Sequence, residues 1–285
     1  MMQKPYFISE VSSNHHQDLQ RAKEFIKVSA EIGCDAVKFQ LFKIDKLFSP
    51  EILAKSHEHR KRKEWELPVE FLPELSSFTH SLGLAFSCTP FYIEAVEELR
   101  EYVDFYKIAS YELLWDELII ACAKTGKNLV LSTGMATLDE ISHAVEVFKR
   151  HSNATLTLLH AISGYPTPIN EANLSAIDTL RDKFHCPTGL SDHSTSTAVL
   201  CRAVHKYDAS MVEFHLDLDK NGDEYSAGHC WLPDEIGSAI KIINDGFLAD
   251  GDGVKKAMPS EIADREWRAD PSDGLRPFKH LRKSF

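Results

Sequence analysis

Short apolar runs alternate with amphipathic stretches along most of the chain. The runs at 5–12 (PYFISEVS), 35–42 (DAVKFQLF), 84–91 (LAFSCTPF), 104–110 (DFYKIAS), 128–133 (NLVLST), 155–163 (TLTLLHAIS), 187–193 (PTGLSDH) and 210–218 (SMVEFHLDL) carry apolar residues without strict alternation. Continuous rather than alternating apolar character marks strands buried on both faces, as in parallel sheets. Between them, 18–32, 68–82, 92–101, 116–125, 137–151, 173–184, 195–206 and 233–247 read as helices. In the first, Leu19, Ala22, Phe25, Ile26 and Ser29 share one face. The helix at 137 opens on Thr137 with Glu140 three residues later, the spacing of a capping box.

Repeated βα units give a parallel sheet with right-handed crossovers. A count of eight predicts an α/β fold of the (β/α)8 TIM-barrel type over residues 1–250, with an open doubly wound sheet as the competing topology. Residues 43–67 interrupt the repeat after the second strand with a charged insertion, expected to contain a short helix and to lie over the mouth of the barrel. Residues 251–285, polar and rich in Gly, Pro, Asp and Arg, read as an irregular C-terminal extension.

Composition narrows the function classes. The 285 residues carry a formal net charge of -11, which disfavours non-specific nucleic-acid binding and requires any anionic substrate to meet local basic groups. No apolar stretch reaches the ~20 residues of a membrane span, and the N-terminus lacks the pattern of a secretory signal. Six cysteines, none in a CxxC pair, read as reduced core residues of a cytoplasmic protein.

The C-terminal strand ends, where barrel enzymes place their chemistry, are uniformly polar. They carry Glu10 and Asn14, then Lys38 and Gln40, Thr89, Lys107 and Ser110, Ser132, Ser163 and Tyr165, Ser191 with Asp192 and His193, and Glu213 with His215. Lysine and histidine inside apolar strands are costly to bury without partners, so this pattern points to a shared functional mouth. Lys38 and Lys107 supply positive charge, and Ser110, Ser132 and Ser191 supply hydroxyl donors, a set suited to a phosphate and a carboxylate on one small ligand. His193 and His215, on adjacent strands, are candidate ligands for one divalent metal. Glu10 and Glu213 are candidates for proton transfer or for holding sugar hydroxyls.

The stretch ISEVSSNHHQDLQRAKEFIKVSAEIGCDAVKFQ resembles the opening of the sialic acid synthase (N-acetylneuraminate synthase) family, which includes legionaminate and pseudaminate synthases. SCTPF, YKIASYE, LSTGMAT, GYPTP, GLSDHS and VEFH follow in the family's order. The resemblance implies condensation of phosphoenolpyruvate with an open-chain N-acyl amino sugar, with release of inorganic phosphate. It implies a phosphoenolpyruvate site of Lys38, Thr89, Lys107, Ser110, Ser132 and Ser191 with Ser163 and Tyr165 nearby. It further implies Mn2+ or Mg2+ on His193 and His215, Glu10 and Glu213 facing the sugar, and a homo-oligomer.

Three departures stand out. Residues 251–285 resemble the segment leading toward the family's C-terminal antifreeze-like domain, and that domain itself is not expected. The family's EKH becomes Glu213-Phe214-His215. Its GPDH-like loop becomes DLDKNGDEYSAGHCWLP, with Gly228 where an aspartate is expected, His229 retained, and Asp217, Asp219, Asp223 or Glu224 as substitutes. The competing readings are a KDO-8-phosphate- or DAHP-type condensation with an aldose phosphate, a metal-dependent aldolase using pyruvate, and a barrel without catalysis.

Overall fold

The structure, a computed structural model, describes residues 4–284. Eight parallel strands run β1 Tyr6–Glu10, β2 Ala36–Leu41, β3 Ala85–Pro90, β4 Phe105–Ile108, β5 Asn128–Ser132, β6 Leu156–Ala161, β7 Thr188–Asp192 and β8 Met211–Leu216. Each pairs with the next, and β1 pairs with β8 from Tyr6↔Met211 to Glu10↔His215, which closes the barrel. The open-sheet topology is thereby excluded. A two-residue β9, Cys230–Trp231, pairs with the end of β8 at His215 and Leu216.

The barrel helices are α1 Leu19–Glu31, α2 Leu72–Ser81, α3 Ile93–Leu99, α4 Asp116–Lys124, α5 Leu138–His151, α6 Ala176–Phe184, α7 Thr197–His205 and α8 Pro233–Asp250. Each follows its strand and buries one apolar face; in α1 that face is Ala22, Phe25, Ile26 and Ser29, as the periodicity predicts. Thr137 and Glu140 form the expected capping box at the start of α5.

Ile8, Ala36, Phe105, Val130 and Leu159 plug the barrel interior, with Tyr6, Ala85 and Met211 packed against them. Strand side chains alternate with period two, so the residues two positions further along share that inward face. Those residues include Glu10, Lys38, Ser87, Lys107, Ser132 and Glu213. The apolar plug is thus roofed by a polar layer toward the C-terminal strand ends.

The insertion folds into short helices Ile44–Leu47, Pro50–Lys55 and His57–Lys61 and a 3-10 turn Arg62–Trp65. The chain divides into two compact units, the first ending at Gly246 and the second beginning at Phe247. Within the second, 3-10 turns at Pro259–Glu261 and Arg265–Trp267 precede a short helix Lys279–Arg282, and Asp273 pairs with Arg282. The described cysteines form no disulfide. Among the described residues no helix is long and apolar enough to cross a membrane.

Candidate active site

The roof of the plug is the floor of a cavity of about 860 Å³. Twelve of the fifteen residues singled out above line it: Glu10, Lys38, Gln40, Thr89, Lys107, Ser110, Ser132, Tyr165, Ser191, His193, Glu213 and His215. Asn14, Ser163 and Asp192 lie off its wall. Asn14 donates to the Leu216 carbonyl at 3.0 Å, and Asp192 accepts from Ser194 and from the Trp231 indole at 3.1 Å, roles that tie loops to the barrel rim. Ser163 stands behind Gly134, where any Cβ would meet Ser163 Oγ at 2.5 Å and Ser110 Oγ at 2.8 Å.

Four buried charges alternate across the floor. Lys38 forms an ion pair with Glu10 and lies 4.0 Å from Glu213, while Lys107 lies 3.3 Å from the other Glu213 oxygen. Lys38 also donates to Thr89 at 3.2 Å. Burial pushes the Lys38 ammonium down to about 8, despite the opposing pull of Glu213. Burial alone would raise Glu213, yet Lys107 and Lys38 prevail and hold it at about 2. Glu10 is fixed by the Ser12 N–H at 2.8 Å and by Gln40 at 3.0 Å. To present that N–H, Ser12 takes φ 51°, a left-handed conformation that side chains other than glycine seldom adopt outside constrained sites. Ser132 Oγ is buried without a hydrogen-bond partner, an arrangement a ligand oxygen would complete.

A second pole is aromatic and imidazole-rich. Tyr165 stacks on His193 at 4.2 Å, and His215 lies 5.4 Å from His193 and 5.0 Å from His229 between ring centroids. His193 Nδ1 donates to the Ile162 carbonyl at 2.8 Å. Burial, then the neighbouring His215, pushes His193 down to about 3, so its imidazole is neutral. The short helix Asp223–Ala227 brings Glu224 to 3.0 Å from His215 Nδ1 and 3.6 Å from His229 Nε2. His215, Glu224, His229 and Cys230 offer metal-ligating atoms all within 4.8 Å of one another.

Of the four acidic residues weighed after β8, only Asp223 and Glu224 reach the cavity. Asp217 and Asp219 turn instead to Arg21, at 3.1 and 3.4 Å. The insertion contributes Leu47, Phe48, His59, Arg62 and Trp65 to the wall of the cavity. Of the basic run 57–63, only His59 and Arg62 face the cavity, and Arg62 is flanked by the rings of Trp65 at 5.2 Å and Phe48 at 5.7 Å.

Tyr111 and Glu112 also line the cavity and were not singled out from the sequence, although both stand in the YKIASYE run. Burial raises Glu112 to about 7 against the pull of Lys107.

Residues 25–255 match the NeuB family. The chain is 34% identical over 275 residues to N,N'-diacetyllegionaminic acid synthase of Campylobacter jejuni, covering 91% of this chain and 81% of that protein. It is 31% identical to pseudaminic acid synthase of Helicobacter pylori, covering 94% and 82% of the two chains. The crystal structure of the N-acetylneuraminic acid (sialic acid) synthetase of Leptospira borgpetersenii in complex with citrate superposes with a TM-score of 0.80 at 29% identity, over 93% of this chain and 92% of that one.

Proposed function

The chain belongs to the NeuB family and is a synthase that condenses phosphoenolpyruvate with a sugar; on that premise we propose that the acceptor is an unphosphorylated N-acyl amino sugar in its aldehyde form and the product a nonulosonic acid. The observation that carries this reading is the joining, in one cavity, of a buried Lys38–Lys107 pole with the imidazole pole around His215. The first suits the phosphate and carboxylate of phosphoenolpyruvate, the second the aldehyde end of the acceptor.

Lys38 and Lys107 bind the anion, with Thr89, Ser110, Ser132 and Ser191 as hydroxyl donors around it. Carbon 3 of phosphoenolpyruvate attacks the aldehyde carbon, and the enol electron pair forms the new carbon–carbon bond. Positive charge then develops at carbon 2. Water adds there, and the resulting tetrahedral centre expels phosphate by carbon–oxygen cleavage. The two ammoniums stabilise the charge of the departing phosphate, and their low-polarity setting strengthens that effect. Glu213, locked between both lysines, stays ionised and holds their positions. Glu10, anchored by Ser12 and Gln40, faces the acceptor as a base or hydroxyl anchor.

The donor set around His215, with a neighbouring imidazole from His229 and the Glu224 carboxylate, fits a divalent cation, which when bound supplies Lewis-acid polarisation of the aldehyde oxygen. The aromatic wall of the insertion, Phe48 and Trp65 around Arg62, supports recognition of an acyl-amino sugar face: apolar surface for the acyl methyl and one guanidinium for its carbonyl.

The test is phosphate release from phosphoenolpyruvate with Mn2+, compared across N-acetylmannosamine, related amino sugars, neutral aldoses and aldose phosphates. Release with an unphosphorylated amino sugar is the expected result. Release confined to an aldose phosphate would overturn the acceptor assignment.

A further inference from the structure

We propose that Gly134 is a positioning residue for the phosphoenolpyruvate site: by carrying no Cβ, and by donating its backbone N–H to Ser110, it holds the Ser110 hydroxyl with its proton free for the bound anion. The inference rests on the condensation reading above. It goes beyond that reading by giving a role to a residue that has no side chain.

The first argument is closeness. A Cβ on Gly134 would stand 2.5 Å from Ser163 Oγ, 2.8 Å from Ser110 Oγ and 3.2 Å from Ser110 Cβ. Non-bonded heavy atoms attract at about 3.5–4.0 Å and repel well inside that range. Glycine therefore fits between the two serines, and any other residue has to displace their hydroxyls. Ser110 belongs to the cavity wall beside Lys107, so its displacement reaches the anion site directly.

The second argument is direction. The Gly134 N–H donates to Ser110 Oγ at 2.9 Å. A serine hydroxyl has one proton to give and two lone pairs to receive. With one lone pair taken by the backbone, the proton remains for a ligand oxygen, and a hydroxyl that already accepts is the better donor. Ser132, two residues before Gly134, presents a buried Oγ with no partner to the same cavity. The end of β5 thus serves the anion twice, once through Ser132 itself and once through Ser110.

The third argument is that the backbone has no room to retreat. Thr133 sends both its N–H and its hydroxyl to the Leu159 carbonyl, at 2.9 and 3.0 Å. Thr137 closes the other end of the turn with the capping box of α5. Between them Met135 is held at φ 64°, a left-handed conformation that a residue with a side chain keeps only where its surroundings fix the backbone. A methyl group at 134 is therefore accommodated by the serines. Their oxygens move between staggered wells rather than by small amounts, so Ser110 Oγ would leave its seat altogether.

The experiment is phosphoenolpyruvate binding without acceptor, measured by isothermal titration calorimetry, with circular dichroism as the folding control. All variants are compared in a Ser163→Ala background, which removes the other displaced hydroxyl from the comparison. In that background Gly134→Ala weakens binding by about 10- to 100-fold, the loss of one hydrogen bond to a charged group. Ser110→Ala has a similar effect. Both together cost no more than Ser110→Ala alone, because Gly134 acts through a hydroxyl that is already gone. In phosphate release, KM for phosphoenolpyruvate rises and KM for the sugar is unchanged. Undiminished binding with Gly134→Ala, or losses that multiply in the combined variant, overturns the role of Gly134 and leaves the condensation reading standing. A native protein that binds no phosphoenolpyruvate overturns the condensation reading, and this role with it.

A second measurement leaves Gly134 in place. In protein labelled with 15N-glycine, added phosphoenolpyruvate moves the Gly134 amide proton downfield, because a Ser110 that donates to the anion becomes a stronger acceptor. In Ser110→Ala, at saturating phosphoenolpyruvate, that shift is absent. A Gly134 amide that shifts alike in both proteins, or in neither, overturns the role.

Discussion

Lys107 on β4 and Glu213 on β8 meet at 3.3 Å across the barrel, from strands at opposite positions in an eight-strand ring. The pair holds the floor of the cavity, with Ser191 donating to the same Glu213 oxygen at 3.2 Å. Lys107→Met removes one of two ammoniums available to the departing phosphate. It should lower kcat/KM for phosphoenolpyruvate by about 100- to 1000-fold, the loss typical of one oxyanion-stabilising donor. Steady-state phosphate release measures this, and a change below about tenfold would remove Lys107 from the anion site.

Lys38 gives a pH dependence with a defined sign. Its ammonium is pushed down to about 8 by burial, so it is charged below that pH and neutral above it. KM for phosphoenolpyruvate should therefore rise as pH passes upward through about 8. In Lys38→Arg the alkaline rise should disappear whatever the absolute rate, because guanidinium stays charged. A rise that survives in the arginine variant would belong to another group.

Glu112 should be visible in the same profile. Burial raises it to about 7, so it is a neutral acid below that pH and a carboxylate above it. A limb near 7 in kcat/KM against pH is expected in the native protein and absent in Glu112→Gln. An identical limb in the variant would show that Glu112 does not titrate in the working enzyme.

The insertion should act on the acceptor alone. Trp65→Ala removes one of the two rings that flank Arg62, and with it apolar surface at the mouth. KM for the sugar should rise about tenfold, within the range of losing part of an apolar pocket. KM for phosphoenolpyruvate should stay unchanged, and equal effects on both substrates would place Trp65 in a structural role.

Much of this was legible in the chain because parallel barrel strands advertise themselves twice. Their two buried faces make runs such as DAVKFQLF mostly apolar without strict alternation, and their inward period of two places Lys38 beyond Ala36 and Lys107 beyond Phe105. What escaped depends on loops. Glu224 is one of four acidic residues in eight positions, and only the fold reveals that Asp217 and Asp219 are spent on Arg21. Asn14 and Asp192 sit at strand ends beside true cavity residues, and spacing alone cannot tell a rim hydrogen bond from a ligand contact. Glu112 lay inside a recognised run, yet its raised acidity comes from burial, which no linear pattern encodes.

The pairing of Glu10 with His215 gives the site a temporal dimension. The first catalytic-face residue is encoded at position 10 and its neighbour across the closing seam 205 residues later, so the reactive mouth has no partial form. A nascent chain of six or seven βα units carries Lys38 and Lys107 without Glu213, the carboxylate that lies beside both in the closed barrel. Such long-range pairings are made late and at a high entropic cost. Activity should consequently appear all at once, when the last strand docks, and a nascent chain short of β8 should be inert however native its individual units.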